Sequence, residues 1–118
     1  MATDDVLRAI VGEQLSSVEF VQNYVQLHFD GPTLTILSYP MLLIEGERYV
    51  GETPGYRDLL CGQIAKQVKI AALVDNEEIC IAFDNGVEIV IPLTIEDDRI
   101  PEAAMFQDSV GGSLTIWP

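Results

Sequence analysis

The chain has one histidine, two cysteines, one tryptophan and only six lysines and arginines in 118 residues, and each shortage removes a class of function. His28 has no serine or cysteine in a nucleophile motif to work with, so no catalytic triad is expected. Cys61 and Cys80 lie far from CxxC spacing and have no second pair. This excludes a disulfide framework and, with a single histidine, a zinc site of four protein ligands. Both cysteines read as reduced, small hydrophobes in or near the core, and whether they meet is open. The glycines form neither GxGxxG nor a P-loop, so no phosphate cradle and no cofactor are expected. No apolar run approaches the roughly 20 residues that span a bilayer. The opening Met1-Ala2-Thr3-Asp4-Asp5 is acidic where a secretory signal is basic, which points to a cytoplasmic protein.

Basic residues are outnumbered by 19 acidic ones, for a net charge of -13. Such a charge repels phosphate backbones and anionic lipid surfaces, so nucleic acid and membrane are not expected as partners, whereas a basic protein is. With 48% hydrophobic residues the chain can bury enough apolar surface to fold, and its length suits one domain over 1–118.

Sliding the chain along itself by 53 residues aligns Asp5 with Asp58, Gln14 with Gln67, Val21 with Val74 and Asn23 with Asn76. Single insertions then bring Phe29 and Asp30 onto Phe83 and Asp84, and Gly31 onto Gly86. Both insertions fall in turns, where repeats tolerate them. This reading gives repeat units at about 4–38 and 53–93, a connection at 39–52 and a C-terminal segment at 94–118.

Each unit opens with a helix signal. Asp4 and Asp5 precede the stripe Val6, Leu7, Ile10 and Val11, and Gly12 marks its stop. Thr53 as cap and Pro54 as first helical residue precede Leu59, Leu60 and Ile64. Period-2 alternation follows: Val18 and Phe20; Val25, Leu27 and Phe29; Leu34 and Ile36 in the first unit; Ala71 and Leu73; Ile79, Ile81 and Phe83; Ile89 and Ile91 in the second. Asn85-Gly86 predicts a two-residue type I′ hairpin with positive φ at both positions. Met41 to Ile44 and Tyr49-Val50, flanking Glu45-Gly46-Glu47, read as a further hairpin or an extended connection, and Leu114 and Ile116 as a last short strand. The fold class expected is α+β: a duplicated helix plus three-stranded antiparallel meander, arranged about a pseudo-two-fold axis as a twisted sheet or an open barrel.

The run Phe83-Asp84-Asn85-Gly86 through Pro92-Leu93, then Glu96-Asp97 and Pro101-Glu102-Ala103-Ala104-Met105-Phe106, resembles a group of small, uncharacterised bacterial proteins with an FDxG, PL, ED, PEAA pattern. The segments Val11 to Leu15 and Phe29 to Gly31 are similar to that group's first half. The resemblance implies a fold shared over most of the chain, and no function.

Few residues remain as candidates for a site. Asp30 and Asp84 match across the repeat but suit hairpin turns better than acid–base chemistry. Glu96-Asp97-Asp98 is the densest carboxylate run, without the spacing that wraps a Ca²⁺ ion. Tyr39, Tyr49 and Tyr56 surround the connection, where aromatic rings either seal a small core or anchor a partner. The interaction residues expected are therefore Tyr39, Tyr49, Tyr56, Glu96, Asp97 and Asp98, with no catalytic, cofactor or metal residues. The reading is a non-enzymatic, acidic protein-interaction module, an antagonist of a basic partner such as a toxin or nucleic-acid enzyme. The alternative is a small-ligand-binding protein or metal-dependent enzyme with its site between the repeats. An apolar terminal strand at Leu114 to Trp117 also invites pairing with a second copy, giving a homodimer.

Overall fold

The structure is a computed structural model that describes residues 6–22, 24–51, 53–75, 77–93, 104–107 and 114–117. About half of these lie in ten β-strands: β1 (Ser17–Val21), β2 (Tyr24–His28), β3 (Thr33–Ile36), β4 (Met41–Ile44), β5 (Glu47–Tyr49), β6 (Val68–Val74), β7 (Glu78–Phe83), β8 (Glu88–Pro92), β9 (Ala104–Gln107) and β10 (Leu114–Trp117). They form two five-stranded antiparallel sheets, ordered β1-β2-β3-β9-β10 and β5-β4-β8-β7-β6. The inner faces of both sheets meet in one apolar core.

This corrects the expected α+β class. The described residues hold one α-helix, α1 (Tyr56–Cys61), of six residues. The segment expected as the first helix is a five-residue 3₁₀ turn, Val6–Ile10. Its continuation bonds i to i+3, with Val11 N–H donating to Arg8 C=O at 3.2 Å and Glu13 N–H to Ile10 C=O at 3.0 Å. Five residues before a glycine of φ 87° are too few for helical cooperativity to develop.

Helix α1 also begins later than Thr53-Pro54 suggests. The Thr53 hydroxyl accepts from Val50 N–H instead of capping, and Gly55, at φ 85°, takes the N-cap position. The buried stripe is Tyr56 and Leu60, while Ile64, expected on it, is 38% exposed.

The strands of the two meanders fall where alternation places them, whereas β9 lies where no strand was expected. In the first meander Val18, Leu27, Leu34 and Phe106 sit opposite one another across four strands, as do Phe20, Val25, Ile36 and Ala104 in the next inward row. In the second sheet the inward rows are Ala71, Ile81, Ile89 and Leu42, then Leu73, Ile79 and Ile91. Phe29, just past β2, and Phe83, at the end of β7, are both buried in the shared core.

Alternation does not show how the hairpins are exchanged. The β4-β5 hairpin leaves the first meander and pairs with β8 of the second, and β9-β10 leaves the second and pairs with β3 of the first. The segments entering the two sheets are tied by an antiparallel bridge between Gln14 and Gln67, and the Gln67 side chain donates to Gly12 C=O at 2.8 Å.

Turn geometry needs one further correction. Gly86 has φ 88°, but Asn85 is not in the left-handed region. The turn closes from Gly86 N–H to Phe83 C=O, the three-residue form with glycine at the bulge. Asn85 instead acts through its side chain. Its Oδ1 accepts from Val87 N–H, and its Nδ2 donates to Oε1 of buried Gln63, tying the hairpin to the turn after α1. Two-residue loops with both central φ positive occur at Asp30-Gly31 and Glu45-Gly46.

Candidate functional site

Two of the three expected tyrosines come together. Tyr39 stacks on Tyr56, with ring centroids 6.0 Å apart and planes at 22°, and meets Phe20 edge-on at 6.1 Å. The Arg57 guanidinium lies over the Phe20 ring at 4.8 Å and the Tyr39 ring at 5.8 Å, and donates to the Tyr39 hydroxyl at 3.1 Å. Gly51 makes room for the group: a β-carbon there would come within 2.9 Å of both Cβ and Cγ of Tyr39.

Tyr56 is a core residue, 1% exposed, whose hydroxyl donates to Pro40 C=O. Burial, with a smaller effect of nearby Tyr39, pushes its phenol far above the ordinary value. Tyr49 packs on the core from β5 opposite Leu42, apart from the stack. The aromatic connection is thus mainly a seal between α1 and β1, with Tyr39 and Arg57 exposed and Phe20 half-buried. Beside it, Gly51, Thr53, Tyr56 and Asp58 line an open depression of about 190 Å³. Phe20 and Arg57 complete this cluster and were not legible as members, because they are 37 residues apart in sequence and join only in the fold.

Glu96, Asp97 and Asp98 lie outside the described residues. Asp30 and Asp84 are exposed turn residues on different sheets. Among the described residues no three of His, Cys, Asp and Glu gather where a metal ion could be held. Cys61 and Cys80 are free thiols, one on α1 and one on β7. No helix among the described residues is long and apolar enough to cross a membrane. Strand β10 is an edge of its sheet.

The outer faces of the two sheets differ. On the first sheet Ser17, His28 and Thr33 form one row and Glu19, Gln26 and Thr35 the next. These side chains bond one another: Gln26 donates to Thr35 at 3.1 Å, His28 Nδ1 is 3.1 Å from the Thr33 hydroxyl, and His28 Nε2 is 3.4 Å from Glu19. His28 therefore belongs to a polar ladder of the kind a solvated face carries. On the second sheet the outward rows are Met41, Val90, Cys80 and Ala72, and Leu43, Glu88, Ala82 and Ile70. That face carries Arg48, Glu78 and Glu88 among apolar residues, with Lys69 at the bulge of β6. The Cys80 thiol donates to Glu88 at 3.1 Å; burial first, then this bond and the two carboxylates, push the thiol up to about 12.

Compared with known proteins, the chain matches no family model, no curated protein and no solved structure.

Proposed function

We propose that the chain is a small acidic protein-interaction module that receives a basic protein partner and acts as its antagonist. The observation that supports this is a surface rich in exposed carboxylates. Glu19, Asp30, Glu45, Glu47, Asp75 and Glu77 are exposed, and the ion pair between described side chains is the one from Glu19 to His28. Arg57, one of the few cations, is engaged with two aromatic rings. A surface of one sign projects a field that steers an oppositely charged protein toward it.

The test is to capture the partner from the native cell on the immobilised chain, identify it, and follow association of the two purified proteins. Raising salt from about 0.1 M to about 1 M shortens the Debye length from about 10 Å to about 3 Å, so the on-rate is expected to fall steeply. Neutralising Glu96, Asp97 and Asp98 together is expected to slow association. An on-rate indifferent to salt would contradict the proposal.

A further inference from the structure

An asparagine followed by glycine can modify itself. In Asn85-Gly86 the glycine nitrogen has no β-carbon beside it to hinder attack on Cγ of the asparagine side chain. The N–Cγ bond forms, the Cγ–Nδ2 bond breaks, and the Gly86 proton leaves with Nδ2 as ammonia. Water then opens the cyclic imide at either carbonyl, giving aspartate or isoaspartate, so water is the one co-reactant. The chain's other asparagines, Asn23 and Asn76, precede Tyr24 and Glu77, whose side chains hinder the same attack.

The fold holds Asn85 out of this reaction at three points. Its Oδ1 accepts from Val87 N–H at 3.1 Å, and its Nδ2 donates to Oε1 of Gln63 at 3.0 Å. Both orientations are forced. Val87 N–H can only donate, and Gln63 gives its own Nε2 to Leu59 C=O at 3.2 Å, which leaves Oε1 toward Asn85. The attacking nitrogen is engaged as well, its N–H donating to Phe83 C=O at 3.1 Å. Gln63 is 5% exposed, whereas Asn85 and Gly86 are exposed, so water reaches the reacting atoms while their restraint is anchored in the interior. These bonds must break before the side-chain carbonyl carbon can swing onto the Gly86 nitrogen.

We propose that Asn85-Gly86 is a self-modification site held in check by Gln63. Folding keeps the site closed, and local opening between the β7-β8 hairpin and the turn after α1 commits Asn85 to the imide. The change runs one way. An ionised aspartate has no proton to donate to Gln63, and an isoaspartate adds a main-chain carbon that moves Gly86 N–H away from Phe83 C=O. Either product unties the hairpin from the turn after α1. Gln63 is a positioning residue here, acting through Asn85.

The test is peptide mapping by mass spectrometry of the full chain after incubation at mildly alkaline pH, reading amide-to-acid conversion and isoaspartate at each asparagine. The parent and Gln63→Met, which keeps the side-chain length and removes the acceptor, are compared folded and in urea. In urea, conversion at Asn85 is expected to outrun that at Asn23 and Asn76. Folding is expected to slow it about tenfold or more in the parent. Gln63→Met is expected to speed the folded rate about threefold to tenfold, the worth of one hydrogen bond, and to leave the rate in urea unchanged. Conversion in urea no faster at Asn85 than at Asn23 and Asn76 overturns the proposal. So does a folded parent that converts as fast as the unfolded one, or a cooperatively melting Gln63→Met that converts at the parent's rate. Where Gln63→Met does not fold, hydrogen exchange at Val87 N–H in the parent reports the open fraction of the hairpin across sub-denaturing urea. Conversion at Asn85 is expected to scale with that fraction, and conversion indifferent to it overturns the proposal.

Discussion

At Gly86 a single dihedral decides what the position accepts. Its φ of 88° is open to glycine and strained for a β-branched side chain, so Gly86→Val is expected to lower stability by about 1 kcal/mol or more in denaturant melts. A variant melting with the parent would mean that the bulge geometry is wrong. Gly51 is fixed by space instead: Gly51→Ala drives a methyl group into the Tyr39 ring, and overpacking of that kind costs about 1–3 kcal/mol. Loss of the Tyr39–Tyr56 stack should appear in the near-ultraviolet circular dichroism of the same variant. Cys80 gives a pH dependence. Its folded value of about 12 lies above its ordinary 9.0, so below pH 9 the thiol is protonated in both states and contributes no slope. Between pH 9 and about 12 the unfolded chain releases the proton first, and stability falls as pH rises. Cys80→Ala is expected to flatten that decline, and the same slope in parent and variant would contradict it.

Among the elements, the strands were legible and the helices were not, for a physical reason. Period-2 alternation arises from burial of one face, and both meanders bury one face against the shared core, so Val25, Leu27 and Phe29, or Ile79, Ile81 and Phe83, carry the signal openly. Short helical segments carry only a stripe of two or three residues, which a 3₁₀ turn, an α-turn and a true helix all share. That is why Val11 and Ile64, expected on buried stripes, lie exposed. The contrast is measurable: Leu60→Ala is expected to cost about 2–5 kcal/mol as a core deletion, and Ile64→Ala to stay within about 0.5 kcal/mol as a surface change. Similar costs at both positions would restore the longer helix. Strand β9 is hard to read from the chain because Ala104-Met105-Phe106-Gln107 is only four residues long and its neighbour β3 is about 70 residues away in sequence. Alternation tells which face a residue takes, never which strand lies beside it.

For the whole molecule, the exchanged hairpins make the two halves of the chain interdependent. Each five-stranded sheet takes strands from both 1–51 and 52–118, so these two fragments are expected to be unfolded separately and to regain strand circular dichroism when mixed; a fragment that folds alone would contradict this. The aromatic candidates were legible as residue types, yet the fold uses Tyr56 as core and leaves Tyr39 and Arg57 at the surface. The second sheet's strands read as alternating at Ala71 and Leu73 and at Ile89 and Ile91, and only the sheet order shows which residues their outward rows bring together.

Reception of a basic protein on the acidic surface is the central proposal. The most direct measurement is the on-rate of the captured partner for the parent chain and for a variant in which the exposed Glu45, Glu47 and Glu77 are neutralised, at about 0.1 M and about 1 M salt. The proposal predicts an on-rate that falls steeply with salt and, at the lower salt, falls with neutralisation. An on-rate indifferent to both would contradict it.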